Sequence, residues 1–91
     1  MKKKETLKAE NLKKLLAEVR IKILRILYKE DTCACKIVKE TRLKNNLVSH
    51  HLKVLADMGY IEGKKNGTHV MYKLKPSKRI LIKRVLDLVE I

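Results

Sequence analysis

The sequence predicts a mainly helical domain closed by a β-hairpin, in the order of a winged helix-turn-helix. Three observations carry this. A polar turn at residues 42–46 leads into an amphipathic helix that stops at Gly59. Asn66-Gly67 lies between two β-prone runs, the strongest short hairpin signal in the chain. The net charge is +13, and residues 42–79 hold +7 of it, with nine basic residues against two acidic ones.

The elements follow in order. From about residue 6 to residue 30 the apolar residues recur at helical spacing. Leu12, Leu15, Leu16 and Val19 form one stripe, and Ile23, Leu24, Ile26 and Leu27 form another. Two helices with a break near residues 17–19 account for both. Glu30-Asp31-Thr32 supplies stop and N-cap chemistry, and a short helix follows over about 35–40, with Ile37 and Val38 as its apolar residues. After the connector, a helix spans about 45–58. The runs around Tyr60-Ile61 and Val70-Met71-Tyr72 make the two strands, and Pro76-Ser77 ends the second. Residues 78–91 read as a last helix, with Leu81, Val85 and Leu88 on one face and Ile82, Leu86 and Val89 beside them. There is no repeat or low-complexity segment.

Length and composition narrow the function. The 91 residues make one domain, 1–91, with residues 1–5 as a basic arm whose order the fold does not require. A core this small leaves apolar surface uncovered, which dimerisation would relieve. Hydrophobic residues are 45%, too many for a disordered basic tail. Aromatics are 3%, all Tyr, which argues against a platform that stacks bases on rings. The charge calls for a polyanion, nucleic acid before an anionic membrane surface. No stretch approaches the ~18 apolar residues of a membrane span, and no apolar signal core follows the basic N-terminus. Cys33 and Cys35 are separated by one residue. A disulfide between them would close a tight, strained loop, so the expected setting is a reducing cytosol.

On a wheel of ~100° per residue starting at Asn45, Ser49 falls near ~40°, Lys53 near ~80°, Asn46 near ~100° and His50 near ~140°. Leu47, Val54 and Met58 cluster near ~180–220°, and Val48, His51, Leu52 and Leu55 near ~240–340°. The polar arc holds no acid; Asp57 sits at the far end. Asn pairs with adenine, Ser and His reach several base edges, and Lys reaches guanine or phosphate. Asn45, Asn46, Ser49 and His50 are therefore the candidates for base contact, against the plainer reading of a solvated helix face. His51 falls in the apolar arc and reads as a packing residue. On the hairpin, Lys64, Lys65, Asn66 and Thr68 surround the turn. With Lys44 and Lys53 they are the candidates for backbone contact, which supplies affinity and salt dependence but little sequence information. The alternative is a solubilising charged turn. His69 reads as a strand residue.

The runs Asp31-Thr32-Cys33-Ala34-Cys35-Lys36-Ile37, Leu47-Val48-Ser49-His50-His51-Leu52-Lys53-Val54-Leu55, Gly59-Tyr60-Ile61-Glu62-Gly63 and Met71-Tyr72-Lys73-Leu74 together resemble the ArsR/SmtB family of winged-helix metalloregulators. The resemblance covers about residues 12–75. It implies a homodimeric repressor that binds a double-stranded operator with inverted half-sites and leaves it when an inducer binds. It implies a dimer through the first and last helices, which assigns Leu12, Leu15, Leu16, Leu81, Val85 and Leu88 to that interface. The neutral segment 80–91 suits the role. Lys44 stands where the family commonly starts its recognition helix with Ser, which leaves Asn45 as the candidate cap.

The resemblance also marks Cys33 and Cys35 as the family's thiolate site. A helix N-terminus and Lys36 would favour thiolates, which select soft ions such as arsenite or Cu(I). The ligand set is short, however. Val38 stands where arsenite sensors of the family carry a third Cys, residues 1–32 hold neither Cys nor His, and the last helix offers only Asp87 and Glu90. Tetrahedral zinc is poorly supported, and no cofactor is required for the fold. A soft-ion site, a redox switch and a pair without a sensing role stay open. No nucleotide-binding loop, nucleophile motif or catalytic metal set is present, so no enzyme is expected. The expectation is a cytoplasmic, sequence-specific DNA-binding regulator with no membrane partner. Its rival is an architectural protein that coats DNA or RNA without an operator.

Overall fold

The computed structural model describes residues 17–89. The first expected helix, the basic arm 1–5 and Leu12, Leu15 and Leu16 lie outside the described residues. Ala17 (φ −54°, ψ 136°) holds the N-cap position and α1, Glu18–Lys29, begins directly after it; whatever precedes the break expected near 17–19 lies outside the described residues. The second apolar stripe does what its spacing implies. Ile23, Leu24 and Leu27 are buried, together with Ile21, and Ile26 is half-buried against them.

Thr32 and Cys33 form a short strand, β1, where the sequence suggested a cap. Cys33, not Thr32, holds the N-cap position of α2, Ala34–Thr41. Thr32 is 3% exposed and pairs with Tyr72 of a later strand, which overrides its capping chemistry. A strand this short carries no periodicity to read. At the other end of α2, Arg42 takes a left-handed conformation (φ 62°, ψ 21°), and its N–H donates to the Val38 carbonyl at 2.7 Å. Thr41 Oγ1 donates to the Ile37 carbonyl (2.7 Å) and accepts from the Leu43 N–H (3.3 Å), which closes the turn.

The next helix, α3, runs Asn45–Asp57 and buries Val48, Leu52 and Leu55. It packs on α1 and α2. Its end is a Schellman-type cap. Gly59 is left-handed (φ 86°), and the Tyr60 N–H reaches back to the Leu55 carbonyl at 3.0 Å. Tyr60 and Leu55 both lie in the core, the apolar contact such caps favour.

β2, Ile61–Asn66, and β3, His69–Leu74, form the hairpin. Asn66 pairs with His69, so the loop is Gly67-Thr68 rather than Asn66-Gly67. Positive φ at Gly67 alone (67°) is the requirement of a type II′ turn. β3 is the central strand of a three-stranded antiparallel sheet, with order β1-β3-β2. Gly63 lies opposite Tyr72, and a Cβ there would come within 2.9 Å of the Tyr72 ring. The Lys75 N–H donates to the Tyr60 carbonyl at 3.0 Å and closes the base of the wing. A 3₁₀ turn, Pro76–Lys78, then leads into α4, Arg79–Val89, one residue later than the pattern suggested. α4 packs on α1. Arg79 Nη2 donates to the Tyr28 carbonyl at 2.7 Å, and its guanidinium carbon lies 4.5 Å from the centre of the Tyr28 ring.

A polar contact joins α1 to α3. Arg20 Nε donates to His51 Nδ1 at 3.0 Å. Burial, the Arg20 charge and His50 together hold the His51 ring below its ordinary pKa of 6.5. The neutral ring is the one that accepts at Nδ1.

Leu52→Ala should cost about 2–5 kcal/mol in urea unfolding, because the side chain is fully buried between helices. Leu47→Ala, on the same helix but 37% exposed, should change stability by no more than roughly 0.5 kcal/mol. The depressed His51 pKa also has a sign. Just below the ordinary value the unfolded chain binds a proton that the folded chain does not, so stability is full above about 6.5 and falls as acid is added. The urea midpoint should drop further in the wild type than in His51→Gln between about pH 7.5 and about pH 5.5. Equal drops would remove His51 as the source.

Candidate nucleic-acid interface

The buried stripe of α3 settles which of its side chains face outward. Because Val48, Leu52 and Leu55 point into the core, Asn45, Asn46, Ser49 and His50 are all exposed along the other side. Lys44 is exposed at the N-cap position (φ −69°, ψ 149°) and makes no side-chain cap. Asn45 is the first helical residue, so the expectation that it caps the helix is corrected and its amide is left for other partners. No acid lies in the first turn of α3. Anionic groups approaching this end therefore meet backbone N–H groups, amides and Lys44.

Lys53 is also exposed, and its ammonium lies 3.5 Å from Asp57. Both side chains are largely in water, so the pair is weak and Lys53 can exchange partners at little cost. The His50 and His51 rings meet edge to face, with centroids 5.3 Å apart. They divide as the wheel indicated: His50 faces solvent, while His51 is half-buried on Arg20. Leu47 was placed in the apolar arc, yet it is 37% exposed beside the polar face. Its wheel angle next to His50 was the available signal, and an apolar side chain there suits a thymine methyl.

On the wing, Lys64, Lys65, Asn66 and Thr68 are all exposed. The acid of β2, Glu62, is 3.6 Å from Lys73 and sits toward the base of the hairpin, so the tip carries uncompensated lysines. His69 lies in β3 and faces solvent.

The cysteines depart from expectation: Cys33 and Cys35 are joined by a disulfide. The physical reason is the change of conformation between them. Cys33 ends an extended strand and Cys35 lies in the first turn of α2, which places their Cα atoms 5.3 Å apart, inside the range a disulfide needs. Lys36, expected to favour thiolate, is instead bonded to Glu30. That contact holds the Glu30 carboxyl below its usual range and the Lys36 ammonium above its own. The donor set does not fit a metal in this state. The two sulfurs are bonded to each other, and among the described residues no group of three His, Cys, Asp or Glu side chains is placed to hold an ion.

Of the interface residues assigned to the last helix, Val85 is buried in the protomer's own core, Leu81 is half-buried and Leu88 is 75% exposed. Ile80, 70% exposed, and Val89 extend the uncovered apolar surface of α4. No helix among the described residues is long and apolar enough to cross a membrane.

Residues 17–63, from α1 into the wing, match the model of the family described as bacterial regulatory protein, arsR family. The chain is 37% identical over 65 residues to the HTH-type transcriptional repressor SmtB of Mycobacterium tuberculosis. That alignment covers 71% of this chain and 48% of the repressor, so the chain spans about half the length of this relative. It is 32% identical over 78 residues to the arsenical resistance operon repressor of Staphylococcus xylosus, covering 86% of this chain and 75% of that one. Among solved structures, the homodimeric winged helix-turn-helix DNA-binding domain Mb0332 of Mycobacterium bovis superposes with a TM-score of 0.78. That match has 23% identity over 86% of this chain and 73% of the other, and it shares the fold derived above. These relatives bear the names of regulators rather than enzymes. The chain belongs to the arsR family of bacterial regulatory proteins.

Proposed function

We propose that this chain is a sequence-specific DNA-binding transcriptional regulator, a repressor that acts as a homodimer. One observation carries the reading most. Asn45, Asn46, Ser49 and His50 share the exposed side of α3, and the lysine-tipped wing follows on the same chain. An α-helix fits the major groove, and these side chains are the types that read base edges. Lys44, Lys53, Lys64, Lys65, Asn66 and Thr68 would hold the backbone. The relatives named as repressors support the direction of control. The homodimeric Mycobacterium bovis domain and the uncovered Ile80 and Leu88 support a second copy as the partner of α4.

The rival is an architectural protein that coats nucleic acid without reading it. Selection from a random duplex pool, followed by footprinting, separates the two. A regulator should enrich an inverted repeat with half-sites about one helical turn apart. Asn46→Ala should then relax the preference at one base pair by roughly 1–3 kcal/mol, while Lys64→Ala should weaken all sequences alike. Uniform, salt-sensitive binding with no enriched sequence would overturn the proposal.

We further propose that Cys33 and Cys35 make the regulator thiol-responsive, with a redox response favoured by the disulfide. The bond joins the strand beside the wing to the helix that precedes α3. Its formation takes two electrons and two protons from the thiols, passed to a small-molecule disulfide that becomes two thiols. A soft-ion response, to arsenite or Cu(I), would require the reduced pair and a further ligand. Operator affinity should differ between the reduced and oxidised protein, and the Cys33→Ser, Cys35→Ser double variant should lose that difference. If arsenite alone shifts the affinity of the reduced protein, the soft-ion form replaces the redox one. If nothing shifts it, the pair has no sensing role.

A further inference from the structure

We propose that Arg42, at the turn between α2 and α3, is a DNA phosphate-binding residue kept at the expense of fold stability. The inference rests on the DNA-binding reading above and adds a contact outside both the α3 face and the wing. Arg42 is the one non-glycine described residue with positive φ, at 62°. A side chain with a Cβ is disfavoured there, and Gly is the usual occupant of this helix-ending position, with Asn next. The hydrogen bonds do not require arginine. The Arg42 N–H caps Val38, and the Thr41 hydroxyl holds Ile37 and Leu43, so glycine would keep every bond that closes the turn.

The side chain has no structural task that explains it either. Arg42 is exposed, and among the described residues its guanidinium has no carboxylate, carbonyl or ring partner. What remains is a cation in water on a rigid base. Leu43 anchors the turn against the core, and Lys44 and Asn45 open α3 directly afterwards. A guanidinium so placed stands next to the helix end that a groove-bound α3 brings to the DNA backbone. Its planar fork matches two phosphate oxygens. The ligand class is therefore the phosphodiester backbone of double-stranded DNA, read without regard to sequence.

The test needs no operator. Affinity of the full chain for a labelled mixed-sequence duplex of about 30 base pairs is measured across salt concentrations. Arg42→Gly should raise the urea midpoint, because it relieves the left-handed position, and yet weaken binding. The slope of log affinity against log salt should fall by about 0.9 per protomer, equivalent to about eightfold per protomer at about 0.1 M salt. Arg42→Lys should keep most of the slope. Lys83→Gln, which removes one charge from α4, should leave the slope unchanged. The proposal is overturned if Arg42→Gly keeps the wild-type slope, if Arg42→Lys loses as much as Arg42→Gly, or if Lys83→Gln loses as much. A wild-type chain with no salt-dependent binding would overturn the DNA-binding reading itself, and is told apart from these by the missing slope before any substitution.

Discussion

The burial of Val48, Leu52 and Leu55 is the constraint on which the rest of this molecule depends. These side chains recur at four- and three-residue intervals, so they fall on one side of α3, and all three are fully buried. Their seat is made by Ile23, Leu24 and Leu27 of α1 with Ile37 of α2, buried to the same degree. Once this stripe is fixed, rotation of α3 is fixed with it, and Asn45, Asn46, Ser49 and His50 have nowhere to point but outward. The exposed polar face proposed to contact DNA is thus a by-product of core packing. The Arg20–His51 contact lies at the margin of the same packing and adds orientation rather than bulk.

The sheet solves a second problem, which is how a two-stranded wing stays attached to a small core. An isolated hairpin is marginally stable in water. Here β3 gains a partner on each side, β2 along its whole length and β1 at Thr32 and Cys33. The Tyr72 ring covers Gly63, a pairing that only glycine permits at this spacing, and Leu74 and Ile61 carry the base of the hairpin into the core. The wing tip can then be given over to lysines, because its foundation is apolar.

Legibility divided along physical lines. The long helices were readable because each repeats its apolar spacing over several turns, and the hairpin was readable because Asn66-Gly67 interrupts two β-prone runs. All ten residues proposed for DNA contact are exposed, as a helix wheel and a turn signal together imply. What could not be read was decided by pairing and geometry that no local pattern encodes. β1 exists because Tyr72 and Met71 lie opposite it, and the loop shifted by one residue because Asn66 found His69. The family resemblance assigns Val85 to an interface, but α1 lies close enough to bury it within one protomer. The disulfide is not legible from the spacing of its cysteines, because it depends on the change from strand to helix between its two ends.

Net charge and exposed apolar surface are concentrated in different segments, and this distribution has a physical logic. Like charges repel, so a self-pairing of α4 of the kind proposed above is eased by a low net charge; residues 80–91 have none. A surface of the kind proposed to meet phosphate is favoured by few acids, and the segment 42–79 has two against nine basic residues. In that segment Asp57 and Glu62 each lie beside a lysine, which mutes their field where phosphate would approach. Even the backbone follows the division. Arg42 accepts a conformation that costs roughly 1–2 kcal/mol without glycine, at the point where a cation would face the DNA. On the proposed reading, the turn gives up stability to place a cation, and the apolar stripe of α3 supplies the stability of the fold.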